Sequence, residues 1–199
     1  MRSLPIYSTE ITAGSLKVTE SRVIAGLLLD KVDHAAWKSA LVKENVLQTR
    51  SPQTAYRLAQ LIRNRLETMP PDLWKLVRDG NKLVATHACL AATVKRNAIV
   101  ADFFRFVVHE QFRLYEDKLT NRDWIDFIYD CQCRVPNLPQ WRENTIIRMR
   151  SSVFQILEQA GYIDNTVSRK LRYVYIADEV LQFLCENKEQ TVLHCIQLK

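Results

Sequence analysis

The chain has 199 residues, 47% hydrophobic and 25% charged, with a net charge of +6. That is enough to bury a core in one or two domains without disulfide or metal staples. It holds only four glycines, Gly14, Gly26, Gly80 and Gly161. None are close enough together for a G-x-G-x-x-G turn, a Walker-type phosphate loop or a G-x-S-x-G elbow, which excludes the sites built on them. Scarce glycine also argues against a turn-rich β-sandwich or barrel. A mainly α chain is expected.

Residues 1–10 read as an extended arm. Helical patterning begins near Ser15 and runs through Glu20, Ser21 and Arg22 into the apolar stretch Val23–Leu29. Asp33 is placed to cap a second helix with Ala36, Trp37, Ala40 and Leu41 on one face. Ser51 is a good N-cap, and Pro52 suits the first helical position, where its missing N–H has no partner to lose. In the helix that follows, Ala55, Leu58, Ala59, Ile62 and Leu66 form the stripe expected to be buried. Pro70 and Pro71 close this segment. A short helix is expected over Asp72–Asp79, stopped by Gly80 and Asn81. Longer ones follow over Lys82–Lys95 and Ala98–Tyr115, the latter rich in Val100, Phe103, Phe104, Val107 and Val108. Asn121 is read as the cap of another helix reaching Cys133, and Pro136 and Pro139 then break the chain.

From Gln140 the pattern changes. A helix over Asn144–Ala160 places Ile146, Met149, Val153, Ile156 and Ala160 inward. Gly161 is positioned to end it in the left-handed conformation. Tyr162 and Ile163 then begin a strand, Asp164–Lys170 is a polar turn, and Leu171–Ile176 alternates as a second strand. Asp178 is read as the cap of a last helix. Helix, glycine, strand, basic loop and strand is the order of a winged helix-turn-helix. The fold class read from the sequence is therefore mainly α. An N-terminal helix-turn-helix-like unit (1–69) is followed by a central helical core (70–136) and a C-terminal winged-helix-like unit with a small β-hairpin (137–199).

The charge and a pI near 9.1 fit a protein that meets a polyanion, most often nucleic acid. Residues 43–65 hold Lys43, Arg50, Arg57, Arg63 and Arg65 against Glu44 alone. Residues 134–172 are likewise basic and richer in Arg than Lys, and the planar guanidinium suits phosphates and guanine edges. Two helices repeat one polar pattern at spacings of 4, 3 and 4: Gln53, Arg57, Gln60 and Asn64, and then Asn144, Arg148, Ser151 and Gln155. Amide and guanidinium side chains can make bidentate contacts with base edges. A solvated surface kept soluble by charge is the plain alternative. The candidate DNA-contacting residues are Arg50, Ser51, Gln53, Arg57 and Gln60 on the first helix, and Arg142, Asn144, Arg148, Ser151 and Gln155 on the second. Arg169, Lys170 and Arg172 on the basic hairpin complete the set.

No cofactor or metal site is expected. Cys131-x-Cys133 has no second pair at zinc-finger spacing, and the five scattered cysteines suggest neither a disulfide framework nor a metal cage. His34, His87 and His109 have no neighbouring nucleophile or carboxylate pattern. The first ten residues lack an apolar signal core, and no apolar run reaches membrane-spanning length, so a cytoplasmic protein is expected.

Several phrases resemble a known family. Ile11-Thr12-Ala13-Gly14 is followed by Glu20-Ser21-Arg22 and an apolar run, then by Leu47-Gln48-Thr49-Arg50-Ser51-Pro52-Gln53-Thr54-Ala55 and Arg63-Asn64-Arg65-Leu66. Together with Leu157–Ile163 they look like BrxA, the small proteins of bacterial BREX (bacteriophage exclusion) defence systems. The resemblance implies a cytoplasmic, mainly helical accessory protein that binds double-stranded DNA and has no established catalysis. It also implies work alongside a DNA methyltransferase, an alkaline-phosphatase-like protein and a large ATPase. No catalytic motif carries over, so the DNA-contact candidates rest on the helix faces alone. The alternative is an adaptor that assembles other BREX components without touching DNA, its basic faces docking acidic partners. Trp74, Trp141 and Tyr175 suit that role if exposed, although each also reads as core. A nuclease would need clustered carboxylates, and none are evident.

Overall fold

The computed structural model describes residues 7–135 and 139–198. The first six residues of the expected arm and Pro136 lie outside them. In chain order the described elements begin with a 3-10 turn (Thr9–Ala13), α1 (Val18–Leu29) and α2 (His34–Lys38), which runs on as a π-helical turn through Lys43. Then come α3 (Pro52–Leu66), α4 (Pro71–Asp79), α5 (Lys82–Arg96) and α6 (Ala98–Phe103). A second π-helical stretch, Phe104–Val108, leads into α7 (His109–Arg113). The chain ends with α8 (Asn121–Arg134), α9 (Glu143–Ala160), α10 (Asp178–Glu186) and α11 (Gln190–Ile196).

Two compact units emerge, both discontinuous in sequence. One comprises residues 16–96 and 177–188, the other 1–15, 97–176 and 189–199. They are called here the α5 unit and the α9 unit. Neither coincides with one of the continuous segments 1–69, 70–136 and 137–199.

In the α5 unit, α5 is the central rod: every residue from Val84 to Val94 is buried. α1, α3, α4 and α10 pack around it. Gly80 is a structural necessity between α4 and α5. A Cβ there would stand 2.4 Å from the Leu76 carbonyl oxygen and 2.7 Å from Val84 Cγ1. Asn81 then accepts from the Val84 N–H and starts α5. Gly26, by contrast, has room for a Cβ, whose position lies an ordinary 3.7 Å from Arg78. In α2 the Asp33 cap is formed, accepting from Ala36 N at 2.7 Å. Only Ala40 and Leu41 of the expected face are buried, because Ala36 is exposed and Trp37 half-buried under the Arg63 guanidinium.

In the α9 unit the core is aromatic. Phe103 of α6 meets Trp124 and Phe127 of α8 and Phe154 of α9 at centroid separations of 5.2–6.2 Å. Tyr162 is fully buried edge-on to Phe104 and donates its hydroxyl to the Ile196 carbonyl of α11. In the same unit, Tyr7 donates to Asp102 at 2.5 Å. Burial and that bond push the phenol well above its usual range.

Several local expectations are corrected. The cap of α8 is Thr120, in a reciprocal capping box with Asp123; Asn121 is the first helical residue. α10 is preceded by Ala177, with Asp178 inside its first turn. Leu58 and Ile146 are only partly buried in their stripes. Thr9 and Glu10 belong to a 3-10 turn rather than an extended arm. Tyr175 is 82% exposed and is no part of a core. The hairpin is minimal. Among the described residues, strand-type pairing is confined to two isolated antiparallel bridges, Ile163–Leu171 and Lys118–Lys170. Residues 173–176 join neither.

Candidate nucleic-acid interface

The candidates divide between the units. Arg50, Ser51, Gln53, Arg57 and Gln60 sit at and along the N-terminal half of α3 in the α5 unit. Arg142, Asn144, Arg148, Ser151, Gln155, Arg169, Lys170 and Arg172 lie in the α9 unit.

On α3, Gln53, Arg57 and Gln60 are exposed, as an outward face requires. Ser51 caps the helix, accepting from Thr54 N at 3.3 Å. Gln60 donates to Asn64 at 2.6 Å, and Arg63 pairs with Glu67 at 2.7 Å. Much of this polar chemistry is therefore engaged within the helix itself.

On α9, Asn144, Arg148, Ser151 and Gln155 are all exposed on one side, while Met149, Val153, Ile156 and Ala160 are buried on the other. Eighteen residues give the helix a length of about 27 Å. Arg142 is exposed immediately before its first turn. Gly161 ends it at φ 89°, left-handed, so that the Tyr162 N–H reaches back to the Leu157 carbonyl at 2.8 Å. That reversal turns the chain into the hairpin alongside α9.

The hairpin loop is held by its own side chains. Asp164 accepts from the Asn165 and Lys170 N–H groups and from the Ser168 hydroxyl at 2.6–2.9 Å. The Ser168 bond, with those amides and nearby Arg172, holds the Asp164 carboxyl below its usual range. Asn165 accepts from the Val167 and Ser168 N–H groups. Residues 117–119 pair with the far side of the hairpin: Leu119 N donates to Arg169 O and Leu171 N to Asp117 O. Lys170 and Arg172 are exposed.

Arg169 is placed differently. Its backbone is left-handed, at φ 55°. Its guanidinium lies over the Phe154 ring at 5.3 Å and donates from Nη1 to Asn121 Oδ1 at 2.5 Å. Beside it is a recess of about 390 Å³ lined by Asn121, Arg150, Ser151, Gln155, Thr166 and Arg169, with Phe154 beneath. Two guanidiniums, two hydroxyls and two amides face this space, and no carboxylate lines it. It thus joins three candidates, Ser151, Gln155 and Arg169, with residues the sequence did not mark. Asn121 lies in α8 and Thr166 in the loop that follows α9, so the helical period of α9 could not reveal them. Arg150, one residue from Ser151, was readable as a basic neighbour of the face.

Among the described residues, no group of three or more His, Cys, Asp or Glu side chains is placed to hold a metal ion. His109 Nε2 is engaged by the Cys195 carbonyl, and His87 Nδ1 accepts from the Ala177 N–H. Among the described residues, no helix is long and apolar enough to cross a membrane.

The family model for BrxA matches residues 5–188. The chain belongs to the BrxA family. A curated BrxA relative, BREX protein BrxA of Paramagnetospirillum magneticum, is 44% identical over 98% of both chains. The BREX protein BrxA of Escherichia coli O9:H4 is 32% identical over 96% of this chain and 89% of its own. The fold is also that of a crystal structure of an uncharacterized protein from Magnetospirillum magneticum. That structure has a TM-score of 0.90 at 42% identity and covers 98% of this chain and all of the other.

Proposed function

We propose that this BrxA-family protein is a non-enzymatic, double-stranded-DNA-binding component of a BREX phage-defence system, working in the cytoplasm. The observation that carries this is the exposed Asn144–Gln155 face of α9 running beside a basic, carboxylate-free recess. The order of elements supports it. α6–α7, the paired segment 117–119, α8, α9 and a short hairpin follow one another as in a winged helix-turn-helix. In such a domain α9 is the recognition helix and 164–170 the wing. The Schellman-like turn at Gly161 and the self-bonded Asp164 loop fix the wing in advance, which lowers the ordering cost of binding. The α2–α3 pair, with Ser51 and Pro52 at the start of α3, supplies a second helix-turn-helix-like contact.

Phosphate contacts from Arg142, Arg148, Arg169, Lys170 and Arg172, with Arg50 and Arg57 on α3, supply most of the affinity in this account. Binding is then strongly salt-dependent and weakly sequence-dependent. Gel shifts on random duplex, single-stranded DNA and RNA of equal length test this; preferential retention of the duplex is expected. Failure of the pure protein to shift any duplex at low salt contradicts it.

One feature favours a second reading. Tyr173 and Tyr175 lie 4.9 Å apart, half and mostly exposed, and suit a protein contact. As an adaptor the protein would hold the BREX methyltransferase, phosphatase-like protein or ATPase without DNA. Co-purification with these proteins that survives nuclease treatment, with no shift by the pure protein, would favour that role.

A further inference from the structure

We infer that the recess between α9 and the 164–170 loop is a dedicated phosphate pocket that seats one backbone phosphodiester, with Arg169 as its clamp and Asn121 and Phe154 as positioning residues. The inference rests on the DNA-binding function proposed above and deepens it.

Free arginine side chains on a protein surface sample many rotamers, and ordering one on a ligand costs conformational entropy. Arg169 is already ordered. Phe154, itself buried, lies under the guanidinium plane, and Asn121 Oδ1 takes one Nη1 hydrogen. The Nε is enclosed and meets no acceptor, so the cation's charge is only partly compensated by neutral groups. An anion in the adjoining space stabilises the whole guanidinium through a partly desolvated path, where charge interactions are stronger than in bulk water. The remaining walls suit a tetrahedral oxyanion. Arg150 adds a second cation, Thr166 and Gln155 add donors, and no carboxylate opposes them. The Ser151 hydroxyl is committed to the Ile147 carbonyl, so it shapes the wall rather than donating. None of this depends on base identity, which fits a backbone contact that sets register.

Asn121→Asp separates charge from geometry. The carboxylate can still hold Arg169, and an acid at the first position of α8 suits the helix dipole, so folding is retained. It nevertheless offsets one of the pocket's two positive charges, the one carried by Arg169. Two readouts apply. In the first, side-chain Nε–H resonances of Arg169 and Arg150 are followed by NMR as inorganic phosphate replaces chloride at constant ionic strength. They should shift in the wild type and stay still in Asn121→Asp. In the second, the slope of log duplex affinity against log salt should fall by about one in both Asn121→Asp and Arg169→Gln. Duplex binding with an unchanged slope and affinity in both variants overturns the pocket while leaving the DNA-binding function standing. A wild-type protein that binds no duplex removes that function and the phosphodiester with it. Arginine resonances that respond to phosphate no more than to chloride overturn the pocket as an anion site of any kind.

Discussion

α3 and α9 carry the same polar signature, two amides and an arginine with a fourth polar residue at spacings of 4, 3 and 4, and set it in different surroundings. On α3 the chemistry turns on itself: Gln60 bonds Asn64, Ser51 caps the helix, and Arg63 pairs with Glu67. On α9 the face runs beside a hairpin whose loop is locked by Asp164 and Asn165, and Ser151 and Gln155 open onto a recess holding an oriented arginine. Composition and spacing alone do not make a binding face. What distinguishes α9 is the second element, brought alongside by a left-handed glycine, that adds cations from another part of the chain. In the proposed function the α9 unit makes the main contact with DNA and α3 an auxiliary one.

This ranking can be broken by charge reversal. Arg148→Glu combined with Arg169→Glu should lower duplex affinity roughly a hundredfold or more, since each change removes a phosphate contact and adds a repulsion. Gly161→Val comes next. A Cβ here would lie an ordinary 3.7 Å from Val174 Cγ2. The penalty is therefore backbone strain at positive φ, about 1–3 kcal/mol for a branched residue. Urea unfolding should show that loss together with weakened duplex binding, and Gly161→Asn should cost less because Asn tolerates this conformation. Arg57→Glu on α3 should reduce affinity only several-fold, on the order of one lost phosphate contact. If it matches the α9 double variant, the ranking of the two helices is reversed.

The smallest effect concerns pH. The Asp164 carboxyl is depressed in the folded protein, chiefly by the Ser168 hydroxyl. Its contribution is thus fully present above the unfolded carboxylate value, about 3.9, and is lost as pH falls through the lower folded value. Amide resonances of Asn165 and Lys170 should move together in that acid range and not near neutrality. In Asp164→Asn the acid transition should vanish from both.

Much of the helical architecture was legible because local signals agreed. Ser51 and Pro52 start α3, Gly80 separates α4 from α5, and the apolar period of 143–160 marks α9 and its outward face. The misreadings have physical causes. Thr120 and Asp123 form a capping box one residue before Asn121, and the T-x-x-D spacing is its sequence signature. The π-helical turns at 39–43 and 104–108 leave no mark in residue type. α11 is seven residues long and has no side-chain cap, so its pattern is too brief to declare itself. Leu171–Ile176 alternates like a strand, yet only Leu171 finds a bridging partner, and Tyr173 instead packs on Phe112 and donates to the Leu198 carbonyl. The recess was invisible for a deeper reason. Asn121 and Arg169 are 48 residues apart, and no helical or strand period connects them.

In the proposed function the α9 face and its hairpin hold duplex DNA through phosphate contacts. The most direct test is the affinity of the wild-type protein for a random duplex across a salt series, beside the Arg148→Glu, Arg169→Glu variant. A steep linear fall of log affinity with log salt is expected for the wild type, with near-absence of binding by the variant. Wild-type binding that is indifferent to salt, or a variant that binds as the wild type does, would contradict it.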